Sequence, residues 1–425
     1  MRRRPAGPFA DTSFLALWSG QLVSQAGSST VAVALLWQAA RMGREAVTWA
    51  GLAMTLPPLA AFFLGSFADR LPRVRLMQAV DLGRALVAGA AALPAVRHLL
   101  GVADLVLAVA AVGLGGAVFA PAEAALLPSV VAPEERTAAY GWNLVGSQVA
   151  ALAGLPLGGM LVAVGGVALP LVADALSFAL SAASLSLVRP AKDEGADGGR
   201  VTGAGGTTPW RTVVALILAD RPLAVMLALG AGTNLLFAPM AVGIAVLAHA
   251  LALGPRAYAL LETAWAAGAI AGGAVAARVA RRWGERAAVG PVAAAGGTVL
   301  LLAAVVGGPA AAAAGLFLGA GANAVSNAVW FAWGQRRIPD GVRATAIGMA
   351  LSFLGGMVPV GVGLYGLVAD RWPPGTALAL AGISLALAGT AVAVGQGPVG
   401  RLLAPTLEGP ASAGACAPEG RGVGG

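Results

Sequence analysis

Several polar side chains in this chain sit where their type and spacing can hold a charge, carry a proton or bind a small molecule. Asp81, Arg84, Glu123, Asp174 and Glu262 each interrupt a run of apolar residues. If such a run crosses a bilayer, one charge at its centre costs roughly 2.5–3.5 kcal/mol on insertion scales, so embedded charges are functional candidates by default. Asp81 and Arg84 lie three apart, on one helical face, and can neutralise each other as a structural pair; Asp81 is also a candidate for proton coupling. Glu262 has no basic residue nearby on its own segment, and as a desolvated carboxyl it is the leading candidate proton carrier unless a partner reaches it from elsewhere. Asp174 stands near the start of its run and reads as a helix N-cap.

A second group is uncharged. Trp18, Gln21, Gln25 and Ser28 follow one another at spacings of three and four, which is one helical face. Asn234 stands 209 residues after Gln25, and Asn323, Asn327 and Trp330 repeat the pattern further on. Unpaired amides in hydrocarbon cost several kcal/mol, so these faces turn away from lipid. They either line a central cavity for an amphipathic substrate or bind neighbouring helices together. A third group is a short polar turn, Gly65, Asp69, Arg70, Arg73 and Arg75, between two apolar runs. A weaker copy follows at Gly273, Arg278 and Arg281, with Ala277 where Asp69 would be. Glu123 is placed to reach Arg70 or Arg73 and to join them in a charge cluster closing one side of the molecule.

Other chemistries have no foothold, and no catalytic or metal-binding set is expected. Gly361, Gly363 and Gly366 match a dinucleotide-binding spacing, but they lie in an apolar run without a preceding strand or a following acidic residue. The only lysine, Lys192, follows Ala191, so no phosphate-binding loop of the Walker type exists and no nucleotide is expected. Cys416 is the only cysteine, and His98 and His249 are the only histidines. The chain is read as a non-enzyme with no cofactor.

These residues must be positioned by membrane-spanning helices. Of 425 residues, 58% are hydrophobic and 11% charged, whereas soluble domains carry about 25% charged residues. Spanning helices need roughly 20 mostly apolar residues. Twelve such runs are expected, near 13–39, 47–68, 76–96, 104–127, 139–165, 168–188, 222–248, 257–277, 288–307, 310–333, 344–368 and 375–396. Arg2, Arg3 and Arg4 precede an apolar stretch too long for a signal peptide, which is read as the first span. Small-residue pairs such as Gly268/Gly272 and Gly315/Gly319 suit close helix contact. With the N-terminus in the cytoplasm, twenty-one basic residues fall inside and five outside. That bias puts both termini inside. It also accounts for the net charge of +8 without nucleic acid. The use of Arg over Lys, with the Ala/Gly bias, points to a GC-rich bacterial genome and hence an inner membrane.

The fold class expected is an all-α membrane protein of twelve transmembrane helices in two pseudo-symmetric six-helix bundles. The expected domains are 1–188, a cytoplasmic linker with a short interfacial helix (Trp210 to Ala219) at 189–221, a second bundle at 222–397 and an unstructured tail at 398–425. Parallel repeats of this kind place a substrate path between them, near the bilayer midplane. Gly154, Pro156, Gly158 and Gly159 in the fifth span, and Gly355, Gly356 and Pro359 in the eleventh, suit a bend used in rocking.

The Gly65–Arg73 turn resembles the loop signature of the major facilitator superfamily between its second and third helices. Asp11 to Gln21, Asp81 to Leu86, Phe119 to Pro128 and Asp174 to Phe178 are similar to its branch of enterobactin exporters and macrolide-efflux proteins. The resemblance covers most of residues 10–396 and implies a proton-driven efflux pump in which Gly65, Asp69, Arg70 and Arg73 serve the gating loop. Pro72 stands where the signature has Gly, and Pro156 stands one place later than in the antiporter motif of the fifth span.

The expected function is therefore secondary, proton-coupled export of a small amphipathic compound such as a drug, antibiotic or siderophore. Gly65, Asp69, Arg70, Arg73, Glu123 and Arg278 would gate. Trp18, Gln21, Gln25, Asn234, Asn323 and Asn327 would line the cavity, with Glu262 and Asp81 coupling protons. The alternatives are a facilitator or importer of a small nutrient and, from another class, a transport-inactive receptor or scaffold.

Overall fold

In the computed structural model, residues 7–57, 59, 71–97, 99–189, 210–339, 342–368 and 371–394 are described. All regular structure among them is helical. The first half contains α1 (Thr12–Met42), α2 (Arg44–Thr55), α3 (Arg73–Val96), α4 (Val102–Leu126), α5 (Arg136–Gly165) and α6 (Ala168–Leu185). The short α7 (Trp210–Ala219) follows, and then come α8 (Arg221–Phe237), α9 (Met240–Ala250), α10 (Pro255–Trp283), α11 (Glu285–Val306), α12 (Pro309–Arg337), α13 (Arg343–Val368) and α14 (Thr376–Val394).

Ten of these segments are long and apolar enough to cross a membrane, and they coincide with the third to twelfth expected spans. The first span, α1, is 31 residues long but is diluted by the amides and hydroxyls of its polar face. The second span is described as α2 and then passes into residues outside those described. One expected span is not a single helix. The seventh is divided at Ala238 and Pro239 into α8 and α9, because proline has no N–H for the helical ladder. Helix α7 has the bounds read from the sequence, while the linker at 190–209 and the tail from 395 onward lie outside the described residues.

Capping fixes where helices begin. Asp11 Oδ1 accepts from the backbone N–H of Ser13 (2.7 Å) and Phe14 (3.4 Å) at the start of α1. At the start of α8, 209 residues on, Asp220 Oδ1 accepts from the Leu223 N–H at 3.1 Å. These side chains satisfy donors that the first helical turn leaves free. Gly43, at φ 118°, makes the turn between α1 and α2, a backbone conformation that side-chain-bearing residues avoid.

The two halves pack by one pattern. In the first, α1 lies against α5 and α6, α3 against α4 and α6, and α2 against α4. In the second, α8 lies against α13 and α14, α11 against α12 and α14, and α10 against α12. Between the halves, α5 meets α10 and α2 meets α13, so the fifth span of each half touches the second span of the other. That is the arrangement of a pseudo-two-fold. Glycines allow the contacts: a side chain at Gly268 or Gly272 would collide with the α12 backbone at Phe317 and Gly321. Gly154 and Gly158 of α5 likewise face the α1 backbone at Ala26 and Thr30. Lipid gives helices no hydrophobic reason to associate, so close van der Waals contact through small residues carries much of the packing.

One apolar core joins the halves. It contains Leu35, Trp37, Val47 and Ala50 of α1 and α2 together with Val242, Ala245, Tyr258 and Val362 of the second half. Trp37 stacks on Tyr258 with ring centroids 5.8 Å apart. Toward the start of α1 the described cores are separate. Phe14, Leu17, Met77, Phe119 and Leu126 pack within the first half. Val213, Leu223, Ile338 and Ala346 pack within the second. Among the described residues, the bundles are thus sealed at one end and unjoined at the other.

Candidate functional site

The polar residues of the first half converge on a cavity of about 430 Å³ inside the bundle. Gln21, Gln25 and Ser28 of α1 reach it from one side, Arg84 from α3, Phe119 and Glu123 from α4, and Asp174 from α6. Apart from Ser24 and Ser29 the remaining wall is apolar, including Leu35, Met54, Val109 and Val112. Gln25 is thus part of a cavity lining.

Arg84 is the cavity's cation. Its Nη1 donates to Asp81 Oδ1 at 3.4 Å and its Nε to the Val112 carbonyl at 3.1 Å. The guanidinium lies over the Phe178 ring at 4.8 Å and the Phe119 ring at 5.7 Å, favourable contacts for a cation in a desolvated place. Gly115 and Gly116 of α4 make room for it, since a side-chain carbon at Gly115 would stand 2.8 Å from Arg84 Nε. Asp81 is fully buried, and its second oxygen accepts from Ser181 Oγ at 2.6 Å. Ser181 in turn accepts from Gln21 Nε2 at 3.3 Å. The Asp81–Arg84 pair expected from the sequence is present, held in a network that spans α1, α3 and α6.

Asp174 differs from its sequence reading. It is the seventh residue of α6, not its cap, and it is fully buried against α1. The tight approach of Gly27 brings the two helices together there. Asp174 Oδ1 accepts from Ser177 Oγ at 3.2 Å and Ser28 Oγ at 3.4 Å, while Oδ2 has no hydrogen-bond partner. The signal was legible: Asp174, Ser177 and Ser181 recur at three and four, one polar face on an apolar helix. Glu123 has two expected partners, Arg70, which lies outside the described residues, and Arg73. Its Oε1 accepts from Asn143 Nδ2 of α5 at 3.1 Å, and Arg73 donates to the Ala125 carbonyl at 3.0 Å. The carboxyl faces the cavity from α4, and a Glu123–Arg73 bridge is not formed.

In the second half, Asn234, Glu262 and Trp265 line a smaller cavity of about 240 Å³ beside the break in the seventh span. Asn234 and Glu262, picked separately from the sequence, are thereby brought together. Glu262 makes no ion pair among the described residues and stands one turn from the fully buried Tyr258. The Asn234 amide donates to the Gly230 carbonyl at 2.9 Å, which ties it to its own helix. Asn327 donates to Asn323 at 3.3 Å, a pair along α12. Trp18 lies nearer the start of α1, where its indole N–H donates to the Trp142 carbonyl at 3.0 Å.

Arg278 is exposed near the end of α10. Gly65, Asp69 and Arg70 lie outside the described residues. An ion pair that the sequence did not suggest ties the same end of the second half: Arg337 of α12 donates to Asp220 at 3.0 and 3.3 Å.

The sequence profile of the Major Facilitator Superfamily matches residues 17–361. The chain belongs to this family. As a member of the Major Facilitator Superfamily it is a multi-pass membrane transporter, and the packing repeat above is the twelve-helix, two-bundle arrangement. Of curated proteins, none matches the sequence. Its fold is shared with the nucleoside transporter NupG, at 12% identity and a TM-score of 0.67 over 89% of this chain and 98% of that one. It is also shared with a bacterial homologue of the iron transporter ferroportin, at 16% identity and 0.67 over 90% and 98%. The E. coli xylose transporter XylE is similar at 11% identity and 0.63 over 88% and 94%. Identities this low speak to the fold alone.

Proposed function

We infer that this transporter is a secondary, proton-coupled exporter of small amphipathic compounds across a bacterial inner membrane, with both termini in the cytoplasm. The observation carrying this reading is the 430 Å³ cavity, in which apolar walls surround a few convergent amides, carboxyls and one guanidinium. Such a lining suits a compound with an apolar body and a polar group. The surplus of basic residues on one side orients the chain. In that orientation the sealed end, with Trp37 on Tyr258, faces outward, and the end at which the described cores stay separate faces the cytoplasm. A drug or siderophore would then enter from the cytoplasm.

In this reading Glu262 and Asp81 are the candidate proton carriers. The turn at Gly65, Asp69, Arg70 and Arg73, with Arg278 in the second half, serves the cytoplasmic gate. Gln21, Gln25, Asn234, Asn323, Asn327 and Trp18 provide polar surface along the path. The test is an efflux screen in a host stripped of its own pumps, with and without a protonophore. Lower accumulation of some compounds, abolished by the protonophore, is the expected result. Higher accumulation on expression would instead identify an importer.

A further inference from the structure

We propose that Asp174 is the binding group for the protonated amine of an organic monocation, held in the cavity of the first half. The proposal deepens the export reading and rests on it for the transport step alone. Arg84 pairs with Asp81 and lies within coulombic reach of Asp174, and Glu123 lines the same cavity. Asp81 uses both oxygens, on Arg84 and Ser181. Glu123 accepts from Asn143 through Oε1 and is only partly buried. Asp174 alone of the three is a fully buried carboxyl in the cavity lining with an oxygen, Oδ2, that has no hydrogen-bond partner.

A buried acceptor left unmet is costly, and a charged one more so. An ammonium N–H supplies both the donor and the missing charge. The rest of the site selects the kind of cation. Gln21 and Gln25 offer amides, and the Leu35, Met54 and Val109 wall receives an apolar body. No group of three His, Cys, Asp or Glu fit for a metal occurs among the described residues. Arg84 within coulombic reach of Asp174 further disfavours a doubly charged ion.

The experiment uses the full chain in nanodiscs and three isosteric probes, 1-adamantylamine, adamantan-1-ol and adamantane-1-carboxylate, with affinities read by calorimetry. The amine should bind on the order of tenfold more tightly than the alcohol, as a charge-assisted hydrogen bond does. The carboxylate should bind most weakly. Asp174→Asn should make amine and alcohol equal, and Asp174→Glu should keep the preference. On the wild-type chain, the amine but not the alcohol should slow carbodiimide modification of Asp174, read by peptide mass spectrometry. Equal affinities in the wild type, no amine binding at millimolar concentration, or a preference that survives Asp174→Asn overturns the proposal. Transport of the same probes from proteoliposomes separates the two readings. An amine bound through Asp174 but never moved leaves the site and removes export; other compounds moved while the amine fails to bind does the reverse.

Discussion

At the scale of single residues, packing in the first half holds one buried ion pair, Asp81–Arg84, in place. Arg84 stands about 16 Å along α3 from Arg73, counting 1.5 Å per residue, well within the hydrocarbon. Removing its charge strands Asp81 in a buried place. Arg84→Met should therefore destabilise the protein by roughly 3 kcal/mol, the cost of breaking a buried pair. The readout is thermal melting in detergent, and the Asp81→Asn/Arg84→Met double variant should recover part of the loss. A single variant that melts like the parent would show that the pair contributes nothing. Glu262 poses the complementary case, a carboxyl on a cavity wall with no ion-pair partner among the described residues. Glu262→Gln should leave substrate binding in place but uncouple transport from the pH gradient, and an unaltered response of flux to an imposed gradient removes Glu262 from proton coupling.

At the scale of elements, glycine decides which helices meet. Gly272 faces the α12 backbone at Gly321 so closely that any β-carbon must push the helices apart. Gly272→Val should cost about 1–3 kcal/mol, the usual range for overpacking. Melting temperature and yield of folded protein would measure it; a variant as stable as the parent would mean that α10 and α12 are not tightly apposed. The divided seventh span is the other decisive element. Pro239 ends α8 and starts α9, and the break lies on the wall of the cavity holding Asn234 and Glu262. Irregular backbone at membrane depth is tolerated where it lines a cavity or is buried in protein. The sequence reading placed an unbroken helix there because the apolar run continues through the proline.

At the scale of the whole molecule, the halves touch as fifth span against second span, twice. Gly159 of α5 lies against Ala259 and Pro255 of α10 at the sealed end. Gly159→Val should wedge this contact and shift the population toward a state open at that end. A cysteine introduced at Thr48 of α2, which lies against Gly366 of α13 at the same end, should then react faster with a membrane-impermeant maleimide in a Cys416→Ser background; an unchanged rate would show that the Gly159 contact does not hold the seal. At the opposite end the expectation rests on the turn near Asp69. Asp69→Asn should abolish export at normal membrane abundance, and full efflux by that variant would remove the charge cluster as a gate.

How much could be read in advance follows from which quantities are local. The twelve spans and the basic bias depend on run length against bilayer thickness and on counting charges between runs, so the chain alone determined them. The repeat was also visible, in Gly65 and Gly273 or Gln25 and Asn234, because duplicated helices keep their turn and polar positions. The chemistry of the site was only half legible. Each residue advances a helix by 100°, so a local pattern names a face but not what it meets. Whether Glu123 would meet Asn143, and whether Asp174 would cap a helix or be buried on a cavity wall with one oxygen unmet, depended on how Gly27, Gly115 and Gly154 let α1, α4, α5 and α6 approach. Those approaches join residues far apart in the chain, and only the packed structure decided them.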